Sequence, residues 1–181
     1  MKRFNLTIVL SLVAMLMFAQ EVTDAEIAAI RATYNDAKEQ IELNNHAEEQ
    51  GMHRSDMEVI SHYIIPGCGP TEEVIHYYFT LDEDPEPGEC FNTPYFITRS
   101  YNVAARKFYQ EFLFDKHNLQ LLFFYQHNDG IGSGPDEMRY YYGENGIHKL
   151  ITGNQETDEI FAARTADDLK SAFFTLMNKE Y

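Results

Sequence analysis

Seven histidines, twelve tyrosines and two cysteines are the residues of this 181-residue sequence most able to do chemistry, and their spacing decides how much of it they can do. Glu73-x-x-His76 and the pair His46 and His53 have the look of metal ligands. On a strand, however, residues three apart point to opposite faces, and two residues seven apart on a helix lie about 10 Å from each other. His62 and His76 can face one another across a hairpin, but zinc wants three or four ligands. No metal and no cofactor is expected. Gly130-Ile131-Gly132-Ser133-Gly134 has the glycines of a nucleophile elbow without the strand-to-helix setting that exposes the serine. The oxygen-rich loops Asn128–Glu137 and Asp82–Glu89 lack the spacing of a calcium-binding EF-hand.

The tyrosines say more. Tyr77-Tyr78 and Tyr140-Tyr141-Tyr142 fall on expected strands, where neighbours alternate faces, so each cluster puts an aromatic ring on both sides of a sheet. One side is core. Rings on the other are either buried under a second layer or line a surface that receives a ligand, since tyrosine carries a broad apolar face and a polar tip. Arg99, Arg106, Arg139 and Lys149 also fall on expected strands, to pair with acids across the ladder or to converge on a small anion. Tyr78, Tyr141, Arg106 and Arg139 are the candidate ligand-binding residues.

Cys68 and Cys90 allow two readings. In an oxidising compartment they can form a disulfide closing about 22 residues; otherwise they are two separate thiols. A simple hairpin between them would place them at opposite ends of its strands.

The elements that must position these groups are legible from periodicity. Thr23-Asp24-Ala25-Glu26 is a capping box that opens a helix, whose apolar stripe is Ile27, Ile30, Tyr34, Ala37 and Ile41. Strands are predicted from Asp56 to Ile65, Val74 to Leu81, Tyr95 to Tyr101, Arg106 to Phe114, Leu119 to Tyr125, Met138 to Tyr142 and Ile147 to Ile151. The run Leu119–Tyr125 is apolar on both faces and so belongs to a central strand covered on both sides. Asn145-Gly146 is expected to supply the positive φ angles of the last hairpin. A terminal helix is expected from a cap at Thr165. The fold class is α+β: an N-terminal helix, about seven strands in a curved antiparallel meander and a C-terminal helix, with both helices against one sheet face. The order resembles a cystatin-like or NTF2-like cone.

Lys2 and Arg3 followed by the apolar stretch Leu6–Phe18 have the layout of a secretory signal peptide, with cleavage after Ala19. That stretch is too short to span a bilayer, and no later segment is apolar enough to do so. The expected domains are therefore residues 1–19 as signal and 20–181 as one folded unit. Loss of Lys2 and Arg3 moves the formal charge from −15 to −17, which disfavours nucleic acid and anionic membranes as partners. The signal, the tyrosine-rich hairpin and the acid surplus resemble in style small exported proteins of Gram-negative bacteria. The expected role is a non-enzymatic binding protein in the periplasm or outside the cell, its partner a protein, peptide or glycan. The alternative is a small hydrolase or isomerase pairing His76 with Glu72 or Glu73 in a pocket between sheet and helix.

Overall fold

The computed structural model describes residues 22–83, 90–129, 136–153 and 157–177. The predicted signal peptide and most of the two predicted oxygen-rich loops lie outside the described residues.

Helix α1 spans Asp24–Asn45 and begins where its capping box requires: the Thr23 side chain accepts from the amide of Glu26, whose carboxylate accepts from the amide of Thr23 at 2.7 Å. Seven strands follow: β1 (Asp56–Ile65), β2 (Gly69–Glu83), β3 (Cys90–Val103), β4 (Arg106–Phe114), β5 (Leu121–Asn128), β6 (Asp136–Gly143) and β7 (Gly146–Thr152). They form one open antiparallel sheet in which each strand pairs with its neighbours in sequence. Helix α2 (Glu159–Met177) ends the described chain. No described helix is long and apolar enough to cross a membrane.

The two helices cover opposite faces of the sheet, not one. Ile27, Ile30, Ala37 and Ile41 of α1 pack on Tyr78, Phe96, Leu113, Phe123 and Tyr141. On the other side Ala162, Ala166, Leu169 and Phe173 of α2 pack on Tyr77, Ile97, Phe112, Phe124, Met138 and Tyr140. Neighbouring residues of β2 to β6 thus divide between two cores, which is why apolar and aromatic residues stand on both faces of these strands. Two bulges adjust the division. Tyr78 pairs with Phe96 but Phe79 with Pro94, so Tyr95 is the extra residue and joins Phe96 in the α1 core. Leu122 is the extra residue at the second, where the register shifts between Leu113 and Phe114.

Other expectations change in detail. Helix α2 starts at Glu159, six residues before the expected cap, because the Asp158 carboxylate accepts from the amide of Ile160 at 2.8 Å. Thr165 lies inside the helix, its hydroxyl donating back to the carbonyl of Phe161 at 2.9 Å. Strand β5 begins at Leu121, since Leu119 has φ +58° in a turn held by the Asp115 carboxylate, which accepts from the amides of His117 and Asn118. The last hairpin is present, with Gly143 opposite Gly146, but none of residues 143–146 has a positive φ, so Asn145-Gly146 does not shape the turn as expected.

The Cys68–Cys90 bond is also corrected. Cys68 is a free thiol in the β1–β2 turn, while Cys90 pairs with Glu83 at the far end of the 15-residue strand β2. At about 3.3 Å per residue that separates them by roughly 45 Å, against about 7 Å for the widest bridgeable pair.

Candidate functional site

Of the four candidate residues, Tyr78, Tyr141 and Arg139 share the face that carries α1, and Arg106 lies on the other. Arg106 is held within the sheet: its Nη2 donates to Asn128 Oδ1 at 2.6 Å and reaches Asp136 Oδ2 at 3.4 Å, and its guanidinium lies 5.1 Å from the centre of the Phe108 ring. Tyr78 and Tyr141 sit on β2 and β6, four strand spacings apart, or roughly 19 Å. They serve separate clusters.

Tyr78 belongs to a clasp between the end of α1 and the start of the sheet. Its ring stacks on His76 at 4.5 Å between centroids, and His76 Nε2 meets Asp56 Oδ2 at 2.5 Å. Arg54 and Asn44 also donate to the Asp56 carboxylate. Burial opposes ionisation of Asp56, but the hydrogen bonds from Arg54, His76 and Asn44 outweigh it and bring its pKa down to about 2. Because the folded value lies below the ordinary one, the clasp stabilises the fold above pH 4 and stops doing so as pH falls through 2. Arg54 is well solvated, so we expect this loss to be about 1 to 2 kcal/mol. Urea unfolding at pH 4 and pH 2 checks it: Asp56→Asn should show an acid loss smaller by that amount than the parent.

The imidazole and carboxylate expected together in the alternative reading are arranged differently. His76 faces Asp56 and stacks on Tyr78, Glu73 pairs with Arg99 at 2.5 Å on the opposite sheet face, and Glu72 meets His62 at 3.7 Å. Among the described residues no three His, Cys, Asp or Glu side chains converge as a metal site requires.

Tyr141 and Arg139 belong to the second cluster, a pocket of about 350 Å³ between α1 and strands β4 to β6, lined by Arg31, Tyr34, Glu111, Phe123, Tyr125, Arg139 and Tyr141. Its centre is Glu111, a carboxylate only 4 % exposed in the middle of β4. One oxygen accepts from Tyr34 at 2.7 Å; the other accepts from Tyr109 at 2.8 Å and from Lys38 at 3.2 Å. Three donors are thus used on the acid, as a buried charge demands. Burial, and after it the charge and hydrogen bond of Glu111, push the phenols of Tyr34 and Tyr109 far above the ordinary tyrosine value. At the mouth, Arg31 Nε donates to Tyr141 Oη at 3.3 Å with its guanidinium 5.3 Å from that ring's centre. Arg139 pairs with Glu137 and lies 5.2 Å from the centre of the Tyr125 ring.

A larger groove of about 480 Å³ lies on the same face beyond α1, among Glu72, Ser100, Lys107 and His127. It opens broadly to solvent, and Glu72, Ser100, Lys107 and His127 are all exposed. The smaller pocket is the better site because aromatic walls and convergent charges meet there under a helix.

Sequence reasoning placed Arg139 and Tyr141 here but missed Arg31, Tyr34, Lys38 and Glu111. A signal existed. Arg31, Tyr34 and Lys38 follow one another at helical spacing on one side of α1, and Glu111 is the one acid in the apolar run Phe108–Phe114. Compared with models of known protein families, with curated proteins and with solved structures, the chain matches none of them.

Proposed function

We propose that this chain is an exported, non-enzymatic binding protein that takes a small ligand in the pocket between α1 and the sheet. The observation that carries the reading is the pocket's chemistry: aromatic walls and two guanidiniums surround a carboxylate whose oxygens are already occupied. No histidine lines it, and Glu111 is 4 % exposed and already accepts from three donors. Such a site recognises and does not transform. The apolar N-terminal stretch behind Lys2 and Arg3 supports export, and the acid surplus suits a solvated protein that avoids phosphate backbones.

Binding to the folded state raises the melting temperature by mass action, about 2.7 kcal/mol at a hundredfold excess over Kd. For a chain of this size that is a rise of roughly 5 to 10 °C. The purified chain should show such a rise with at least one member of a panel of small molecules, glycans and short peptides, and Tyr141→Ala should abolish it. No rise with any member would overturn the proposal, and N-terminal sequencing of the chain recovered from bacterial periplasm should find Gln20 first.

A further inference from the structure

The charges of the pocket specify its guest. Lys38 and Arg139 are matched by Glu111 and Glu137. Tyr125 also hydrogen-bonds Glu137, so both acids are engaged by donors from the protein. Arg31 is different. Among the described residues its one hydrogen bond goes to a neutral phenol, Tyr141 Oη, through Nε, and it has no acid partner. The cluster therefore carries one positive charge in excess inside a protein whose formal charge is −15.

We infer, building on the binding role proposed above, that the pocket takes a small monoanionic ring compound, its carboxylate held by Arg31 and its ring laid against Tyr34 and Phe123. Three observations converge on this class. One guanidinium lacks a counter-charge, and an arginine fork matches a carboxylate with two parallel hydrogen bonds. Tyr141 holds Arg31 twice, its ring 5.3 Å from the guanidinium and its hydroxyl accepting from Nε, so the side chain has less freedom to lose on binding. Tyr34 and Phe123, in edge-to-face contact at 5.2 Å between centroids, supply an apolar wall made of one ring's face and the other's edge beside it. A phosphate monoester is disfavoured by magnitude: it carries about −1.5 to −2 charge at neutral pH, against a single unmatched cation. A cationic guest is disfavoured because no acid in the pocket is free to receive it.

The rings of such a guest come in two kinds, aromatic and sugar, and the experiment separates them. Calorimetric titration of the purified chain is run with benzoate, with glucuronate, with their neutral counterparts benzyl alcohol and methyl glucoside, and with phenyl phosphate. At least one carboxylate should bind tenfold or more tightly than its neutral counterpart and more tightly than phenyl phosphate. Which of the two binds identifies the ring. Arg31→Gln should remove that tenfold preference and Arg31→Lys should restore part of it; Arg31 is exposed on α1, so both variants should keep the parent's circular dichroism and melting temperature. Equal binding of acid and neutral partner, tighter binding of phenyl phosphate, or a preference that survives Arg31→Gln would overturn the inference while leaving the binding role intact. Failure of every compound here, with a hit elsewhere in the broader panel that Tyr141→Ala abolishes, would overturn the inference alone. Failure of both panels would remove the binding role as well.

Discussion

Phe173→Ala is expected to destabilise the protein by about 3 to 5 kcal/mol, the range for deleting a fully enclosed aromatic ring. Phe173 has no exposed surface, and its ring lies 5.5 Å between centroids from both Tyr77 and Phe79. The gap cannot close readily, because the neighbouring contacts of α2 are made by Ala162 and Ala166, which already bring the helix backbone close to the sheet. Against a typical total of about 5 to 15 kcal/mol the loss is large. With a slope of about 2 kcal/mol per molar urea it moves the unfolding midpoint down by roughly 2 M. Phe174→Ala, at a half-buried neighbour, is the control and should shift the midpoint by clearly less. Equal shifts for the two variants would show that α2 is not anchored where its packing places it.

The second large effect is at Glu111. Glu111→Leu keeps the volume and removes the acceptor for Tyr34, Tyr109 and Lys38. Lys38 is 41 % exposed and can turn to water, so little is lost there. The two phenols are half-buried and would lose the acceptor they share. At about 1 to 3 kcal/mol for each stranded donor, with some relaxation, the total is about 2 to 4 kcal/mol. The variant also has a spectroscopic signature. Glu111 contributes to raising both phenols, so its loss lets them ionise at lower pH; burial, the larger cause, remains. In an alkaline titration followed by phenolate absorbance, two of the twelve tyrosines should shift to lower pH in the variant. An unchanged titration curve would show that the carboxylate does not sit between those hydroxyls.

Much of this architecture could be read from local pattern. The capping box at Thr23 and the alternation of Arg106–Phe114 set the start of α1 and both ends of β4 within a residue of where they stand, because hydrogen bonds and side-chain periods inside those segments decide them. The cover expected on both sides of the central strand is at odds with placing both helices on one face. A run such as Leu121–Tyr125 with apolar residues on both sides needs cover twice, and two helices supply it only by parting: Phe123 meets α1 and Phe124 meets α2. The site was harder. Tyr34 and Lys38 reach Glu111 across 77 and 73 residues of chain, and the register at which a helix docks on a sheet follows from packing between distant segments, not from the periodicity of either. Tyr78 and Tyr141 look equivalent as members of tyrosine clusters, yet four strand spacings separate a structural clasp from a pocket wall.

Strict pairing of each strand with its neighbours in sequence has a bearing on biogenesis. As the chain emerges from a ribosome or a translocation channel, every new strand finds its partner already laid down, and the ladder can lengthen one hairpin at a time with only short loops to close. The cover on one side arrives at once with α1, the first of the described elements to be made. The other side stays bare until the final helix is released, so a chain stalled before residue 159 would display Tyr77, Phe112, Phe124 and Tyr140 to chaperones and proteases, and quality control would have a clear mark of unfinished synthesis.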